Sequence, residues 1–285
     1  MGAEVLRDPE LAELADCCAA AAGIDLRRLL TDVDDEELRL TPNAQPALVF
    51  MGVALARLME RRGIRATAAA GHSVGEYAAL CVAGAIEPPE AVKMVVARGR
   101  AMAEAAPPGT SSMLVVLGIG PEAVSRALSG VPDVWPANFN TPTQTVIGGT
   151  LAGLEAARER INEAGARRLL PIRVAAAFHT PLMEPAGAVL RKALAAAGWR
   201  SPSLAVVANL TATPYRDGAG IPASLERQLS APVRWADCVG RLGELGCGTF
   251  YELGPGRALT GMMRELAPRA RAIAVSSPEA VDRLE

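Results

Sequence analysis

Histidine is scarce in this chain, whose 285 residues contain only His72 and His179. Cysteine is also sparse: the five cysteines are odd in number and none form a C-x-x-C pair. Two histidines more than a hundred residues apart, without paired cysteines, do not match the ligand spacing of a zinc site. We therefore expect no metal, and we interpret the cysteines as reduced, structural thiols of a cytoplasmic protein.

The chain also has no long apolar run and no large excess of positive or negative charge. No run reaches the ~18 apolar residues of a membrane-spanning helix, and the first eleven residues carry acids instead of the apolar core of a signal peptide. The formal net charge is −2, with 50% hydrophobic and 21% charged residues. This composition is typical of a globular enzyme, and it favours neither nucleic acid nor an anionic membrane as a partner.

Hydrophobic periodicity predicts a succession of helices and short strands. The predicted helices span 9–22, 45–62, 88–106, 121–128, 151–164 and 181–197, and the predicted strands span 113–117, 145–147, 169–174, 204–208, 249–253 and 272–275. Strands that alternate with helices indicate an α/β protein with a mainly parallel sheet.

A break at Ala106-Pro107-Pro108-Gly109 precedes a segment with a different order of elements. The segment is predicted as strand, helix, strand, strand, helix, strand, which is the ferredoxin-like order. We therefore predict three parts: 1–108 as the first part of a catalytic domain, 109–176 as an inserted ferredoxin-like subdomain, and 177–285 as the second part of the catalytic domain.

The most informative motif is Gly71-His72-Ser73-Val74-Gly75, a G-x-S-x-G pentapeptide. It follows the apolar run 66–70 and precedes a plausible helix start, as in a nucleophile elbow, where flanking glycines leave room for a sharp turn. Ser73 is then either a nucleophile or a plain turn serine. As a nucleophile it would need a base, and the N–H of Val74 would point at a developing oxyanion.

The choice of base is nearly forced by the scarcity of histidine. Neighbouring side chains on an elbow diverge, so His72 is better interpreted as a packed polar residue that borders the substrate-binding site. His179 follows a predicted strand and precedes a predicted helix, and it is either structural or the general base for Ser73. No aspartate stands out to orient its ring, so a backbone carbonyl could do so.

Arg98 lies on the apolar stripe of helix 88–106, between Val95 and Met102. A guanidinium on an inward face needs an anion, because its charge cannot be removed. That anion is either an internal carboxylate or a carboxylate of the substrate, held by two parallel hydrogen bonds.

With these motifs, the chain resembles malonyl-CoA:acyl-carrier-protein transacylases and the acyltransferase domains of polyketide synthases. The resemblance spans nearly the whole chain, in the right order. It rests on Gln45-Pro46-Ala47, Gly71-His72-Ser73-Val74-Gly75-Glu76-Tyr77, Arg98-Gly99-Arg100-Ala101-Met102, Asn138-Phe139-Asn140-Thr141-Pro142, Ala177-Phe178-His179, Gln228-Leu229, Pro232-Val233-Arg234-Trp235 and Glu252-Leu253-Gly254-Pro255-Gly256.

The resemblance implies a hydrolase-like fold with a ferredoxin-like insertion, and a ping-pong reaction without a cofactor. Ser73 would carry a malonyl group from malonyl-CoA to the phosphopantetheine thiol of an acyl carrier protein, with His179 as base. The family pattern further implies that Arg98 pairs with the malonyl carboxylate, that the backbone carbonyl of Gln228 orients the histidine, and that Gln45 lines the site. Discrete members of this family are often monomers, which we also expect here.

Ala177-Phe178-His179 resembles the A-F-H motif of malonyl-selective polyketide acyltransferases. A ring at that position would crowd a methyl branch on the acyl group, and one methyl is worth only about 1–3 kcal/mol in such a pocket. We therefore expect a preference for malonyl groups that is incomplete.

The start of the chain departs from the family pattern. In the family, a strand and a G-Q-G-S-Q-like loop precede the segment that here begins with Met1-Gly2, and the loop supplies a second oxyanion donor. We expect the natural gene to encode roughly 10–20 further residues upstream. Two other functions stay open: a serine thioesterase or acyl hydrolase, against which Arg98 argues, and an impaired carrier-protein docking module.

Overall fold

The protein is described here from a computed structural model that covers every residue except Met1, Ala106, Pro108, Arg173 and Glu285. The helices are α1 (Pro9–Ala22), α2 (Leu26–Thr31), α3 (Asp35–Arg39), α4 (Thr41–Arg61), α5 (Gly75–Val82), α6 (Pro88–Ala105), α7 (Pro121–Leu128), α8 (Leu151–Glu163), α9 (Glu184–Ala196), α10 (Ile221–Gln228), α11 (Trp235–Glu244), α12 (Ala258–Leu266) and α13 (Pro278–Asp282). The strands are β1 (Ala68–Ala69), β2 (Ser111–Leu117), β3 (Val134–Thr141), β4 (Gln144–Thr150), β5 (Arg168–Ile172), β6 (Ala205–Val206), β7 (Thr249–Leu253) and β8 (Arg271–Val275).

The longer periodic segments form the helices that the sequence predicts. Helix α1 has the predicted bounds, and its start is fixed by the Asp8 side chain, which accepts hydrogen bonds from the N–H groups of Glu10 and Leu11. Helix α4 begins four residues earlier than predicted, because Pro42 in the first turn needs no hydrogen-bond partner there. Among the described residues, no helix combines the length and the apolar character needed to cross a bilayer.

The inserted segment forms a four-stranded antiparallel sheet in the order β3-β4-β2-β5. This is the ferredoxin-like strand order that the sequence predicts, and α7 and α8 cover one face of it through a small apolar cluster. The predicted break at 106–109 and the predicted ends of helix 88–106 and strand 169–174 involve residues that lie outside the described part of the chain. The domain bounds 1–108, 109–176 and 177–285 stay a prediction.

Apart from an isolated parallel bridge between Asn138 on β3 and Val233, the parallel pairing of the described residues lies outside the inserted segment. Strand β1 pairs with β6, and β7 pairs with β8, so the described strands form two separate parallel pairs. The predicted strand 204–208 was too long: only two of its residues form β6, and the next residue, Val207, forms an isolated antiparallel bridge with Pro214. The upstream strand expected from the resemblance lies outside this sequence and stays a prediction.

Helices α4 and α6 pack closely at one point, and this contact positions the site. Gly99 permits the approach, because a Cβ atom there would lie 2.8 Å from Cα of Pro42 and 2.9 Å from the carbonyl oxygen of Thr41. The preceding residue, Arg98, thereby comes within reach of Gln45 on α4. The largest apolar cluster surrounds this pair of helices and includes Leu11, Phe50, Leu55, Tyr77 and Leu80, all nearly fully buried.

Candidate active site

Ser73 lies on a sharp turn between β1 and α5, in a conformation that L-residues rarely adopt. Its φ is +52°, in the left-handed region. Gly71 is required for this turn, because a Cβ atom there would lie 1.9 Å from the carbonyl carbon of Gly75. The expectation that both glycines are needed for lack of space is wrong for Gly75, where an added Cβ would meet nothing within 4 Å.

His179 reaches Ser73 from the loop that follows the inserted sheet. Its Nε2 atom lies 2.7 Å from Oγ of Ser73, and its Nδ1 atom lies 2.8 Å from the carbonyl oxygen of Gln228. Gln228 is the last residue of α10, where carbonyl groups lack partners within the helix. A carbonyl only accepts, so Nδ1–H donates to it and the lone pair of Nε2 faces the serine hydroxyl.

The environment of His179 keeps its ring neutral. The side chain is buried, and burial together with the neighbouring charge of Arg98 lowers its pKa to about 3. A neutral imidazole whose free nitrogen faces a hydroxyl can take the proton of that hydroxyl. Ser73 and His179 therefore have the mutual geometry of a nucleophile and its general base, with a backbone carbonyl in the place of a third acidic residue.

Arg98 is fully buried, and its hydrogen-bond partners are neutral. Nη1 donates to Oε1 of Gln45 at 2.8 Å, and Nη2 contacts both Oγ of Ser73 and Oε1 of Gln228 at 3.1 Å. Within the described residues, no carboxylate forms an ion pair with Arg98, which removes the alternative of a direct internal salt bridge. A guanidinium next to the serine hydroxyl can bind a carboxylate carried by the acyl group.

Val74 precedes α5 as its N-cap residue. The N–H groups at the start of a helix have no partner within the helix, and they carry the positive end of its dipole. The N–H of Val74 can therefore stabilise negative charge on an oxygen beside Ser73, as the elbow pattern predicts.

His72 points away from the serine hydroxyl. Its Nε2 atom lies 3.0 Å from Oδ1 of Asn140 on β3, and its ring packs on Trp235 with the ring centres 5.4 Å apart. Burial lowers the pKa of His72, so this ring is also neutral. The contacts match the interpretation of His72 as a packed polar residue, and the bond to Asn140 links the elbow to the inserted sheet.

Phe178 lies between the two parts of the molecule. Its partly buried ring packs both against the largest cluster and against a small cluster of the inserted sheet that contains Met113, Ala137 and Val146. Phe178 directly precedes His179 in the chain, so the residue next to the proposed base bridges the two clusters.

Two residues that hold the elbow, Asn209 and Glu76, were not predicted from the sequence. Oδ1 of Asn209 accepts from the N–H of Ser73 at 2.7 Å, and its Nδ2 donates to the carbonyl of Gly71 at 2.8 Å. Glu76, on α5, accepts from the N–H of Asn209 at 3.0 Å. An acid in the apolar stretch of α5 was the signal that could have revealed Glu76, whereas no local pattern marks Asn209.

An α/β fold that holds a serine on a strained turn, a neutral histidine at hydrogen-bond distance and an arginine that forms no ion pair within the described residues defines an acyl-transfer enzyme. Comparison with known proteins gives the family. Residues 1–275 match the acyl transferase domain family, and the chain belongs to that family.

Individual relatives point to the same family. The chain is 38% identical over 287 aligned positions to a malonyl CoA-acyl carrier protein transacylase of Bacillus subtilis, covering 99% of this chain and 90% of that protein. Among solved structures, it is similar to an acyl carrier protein S-malonyltransferase from Vibrio cholerae, with a TM-score of 0.94, 34% identity, and coverage of 99% and 94%. It is also similar to a malonyl-transacylase solved in complex with a type II polyketide acyl carrier protein, with a TM-score of 0.93, 36% identity, and coverage of 98% and 92%.

Proposed function

We propose that this protein transfers a malonyl group from malonyl-CoA to the phosphopantetheine thiol of an acyl carrier protein. The observation that carries the proposal is the position of Arg98, a buried guanidinium 3.1 Å from the hydroxyl of Ser73 that pairs with no carboxylate in the described part of the chain. A substrate whose acyl group ends in a carboxylate would place that group on Arg98 while its thioester carbonyl meets the serine. The names of the relatives point to the same substrate pair.

The first half-reaction begins with attack of Oγ of Ser73 on the thioester carbonyl. The serine proton passes to Nε2 of His179, and the N–H of Val74 stabilises the oxyanion. The C–S bond then breaks, and the leaving CoA sulfur takes the proton from His179. The products are CoA thiol and a malonyl ester on Ser73.

The second half-reaction reverses these steps with a new thiol. The phosphopantetheine thiol of the carrier protein gives its proton to His179 and attacks the ester. Collapse of the intermediate returns the proton to Ser73 and releases malonyl-carrier protein. The carbonyl of Gln228 keeps the ring oriented through both halves, and Gln45 fixes the guanidinium of Arg98 by a hydrogen bond of 2.8 Å.

We further propose that the protein works as a cytoplasmic monomer in fatty-acid or polyketide synthesis and that it requires no metal. Its relatives include malonyl CoA-acyl carrier protein transacylases and a polyketide biosynthesis protein, which supports the general reaction.

Intact-mass spectrometry after brief incubation with malonyl-CoA tests the proposal. The expected result is a malonyl adduct on Ser73 that disappears when a phosphopantetheinylated carrier protein is added, with malonyl-carrier protein as the product. Release of free malonate without a carrier protein would instead indicate a hydrolase, and an unmodified protein would indicate a docking module without catalysis. Either of these results would overturn the proposal.

A further inference from the structure

Glu76 has an unusual position for an acid. Its side chain is 1% exposed, on the first turn of α5, three residues after Ser73. Oε2 accepts hydrogen bonds from the N–H of Asn209 at 3.0 Å and from Nε2 of Gln228 at 2.8 Å, and Oε1 accepts from the hydroxyl of Tyr215. The proposed reaction uses none of these contacts directly.

The donors around Glu76 favour its ionised form. A backbone N–H and a side-chain amide N–H can only donate, so both lone pairs that they use must belong to an acceptor. Burial raises the pKa of Glu76 above its usual value, and the hydrogen bonds from its three donors and the charge of Arg98 offset only part of that rise. The geometric case for the anion is that both carboxylate oxygens accept hydrogen bonds, from three donors in all, and that a buried cation lies close by.

The side chain of Gln228 connects this anion with the buried cation. Its Oε1 atom accepts from Nη2 of Arg98 at 3.1 Å, and its Nε2 atom donates to Oε2 of Glu76 at 2.8 Å. The amide dipole thus has its negative end on the guanidinium and its positive end on the carboxylate. Arg98 and Glu76 form a charge pair with one amide group between them instead of a direct salt bridge.

We propose that Glu76 is a positioning residue that balances the charge of Arg98 through the Gln228 amide and thereby sets how strongly Arg98 binds the substrate carboxylate. The proposal rests on the proposed function for the identity of that carboxylate. A direct salt bridge would occupy the guanidinium, and an unbalanced cation would hold the malonyl group more tightly. The intervening amide balances the charge and leaves Nη2 beside Oγ of Ser73, where the acyl group would bind.

Glu76→Gln removes the charge and can keep the hydrogen bonds. Its amide oxygen can accept from Asn209 and Gln228, while its amide nitrogen can donate to the hydroxyl of Tyr215, which also contacts Oγ of Ser224 at 3.1 Å. The readout is the ratio of kcat/KM for malonyl-CoA to that for acetyl-CoA, which lacks the carboxylate. We expect Glu76→Gln to raise this ratio at least about fivefold, a typical coupling between neighbouring sites.

Two controls keep the charge while disturbing the same contacts. Tyr215→Phe removes one donor to Glu76, and Glu76→Asp shortens the side chain; both should leave the malonyl-to-acetyl ratio unchanged even where they lower both rates. A purely structural role for Glu76 would lower the two rates alike in all three variants. An unchanged or lowered ratio in Glu76→Gln would overturn the proposal.

A second measurement needs no substrate, so it separates this inference from the proposed function. Thermal unfolding of wild type, Glu76→Gln, Arg98→Met and the double variant forms a double-mutant cycle. Glu76→Gln should lower the Tm in the wild-type background by clearly more than in the Arg98→Met background, which holds no cation to balance. Should Glu76→Gln not fold alone, the double variant should regain a cooperative transition. Equal losses in both backgrounds, or no recovery, would overturn the charge link, whatever the enzyme transfers.

Discussion

Ser73 and His179 both have backbone conformations in the left-handed region, with φ of +52° and +60°, and their side chains meet at 2.7 Å between Oγ and Nε2. Such a conformation costs a non-glycine residue about 1–3 kcal/mol. The surrounding hydrogen bonds hold both strained positions, so the reacting pair is fixed before substrate arrives.

The strain at Ser73 leads to a paired prediction. Ser73→Ala and Ser73→Gly should both abolish formation of the malonyl-enzyme, with a loss of about 10⁴-fold or more in transfer rate. They should differ in stability, since glycine adopts positive φ freely and alanine does not. We expect the free energy of unfolding of Ser73→Gly, measured by urea denaturation, to be about 1 kcal/mol higher than that of Ser73→Ala. Full conversion of either variant to a malonyl adduct would contradict the assignment of Ser73 as the nucleophile.

Arg98 should set the preference for acyl groups that carry a carboxylate. Arg98→Ala should lower the ratio of kcat/KM for malonyl-CoA to that for acetyl-CoA by about 10- to 100-fold, because a hydrogen bond to a charged group contributes about 1.5–3 kcal/mol. Arg98→Lys should restore only part of the ratio, since an ammonium lacks the planar fork of a guanidinium. Equal losses with both substrates would show that Arg98 acts on the fold alone.

Phe178 should limit the size of the substituent on the α-carbon of the acyl group. Phe178→Ser should raise the methylmalonyl-to-malonyl ratio of kcat/KM, by no more than ~200-fold for one methyl group. Competition between the two CoA esters, followed by mass analysis of the acyl-enzyme, measures the ratio directly. An unchanged ratio would show that residues other than Phe178 set the selectivity.

The buried imidazole should make the protein sensitive to acid. The pKa of His179 is lowered from 6.5 to about 3, so between these pH values the unfolded chain binds a proton that the folded chain does not. Stability from this residue is therefore complete above pH 6.5 and decreases as the pH falls toward 3, by up to about 1.4 kcal/mol per pH unit. His179→Gln cannot bind the proton, so its unfolding free energy should fall less steeply below pH 6.5. Parallel profiles for the two proteins would contradict the low pKa.

The parts of the fold that could be predicted are those with a local cause. The apolar period marks α1 and α6, and the order of elements in the inserted segment predicts its sheet. Helices α10 and α11 were not predicted, although α7, which is as short as α10, was.

The residues of the candidate site also differ in whether a local pattern in the sequence marks them. Ser73 stands in a local motif, and His179 follows from the scarcity of histidine. Asn209 could not be found, because its role depends on a contact with Ser73 across 136 residues of sequence, and a buried amide has no periodic signal. Gln228 was identified only through the family resemblance, since the group that meets His179 is a backbone carbonyl, which every residue has.

The insertion between Ser73 and His179 has a consequence for refolding. The two residues are 106 positions apart, and a sheet with its own apolar cluster lies between them. Contacts between distant parts of a chain form late, because loop closure costs entropy before the contact forms. The return of malonyl transfer after dilution from denaturant should lag behind the return of helical circular dichroism, so catalysis itself reports the last docking event in the assembly of this molecule.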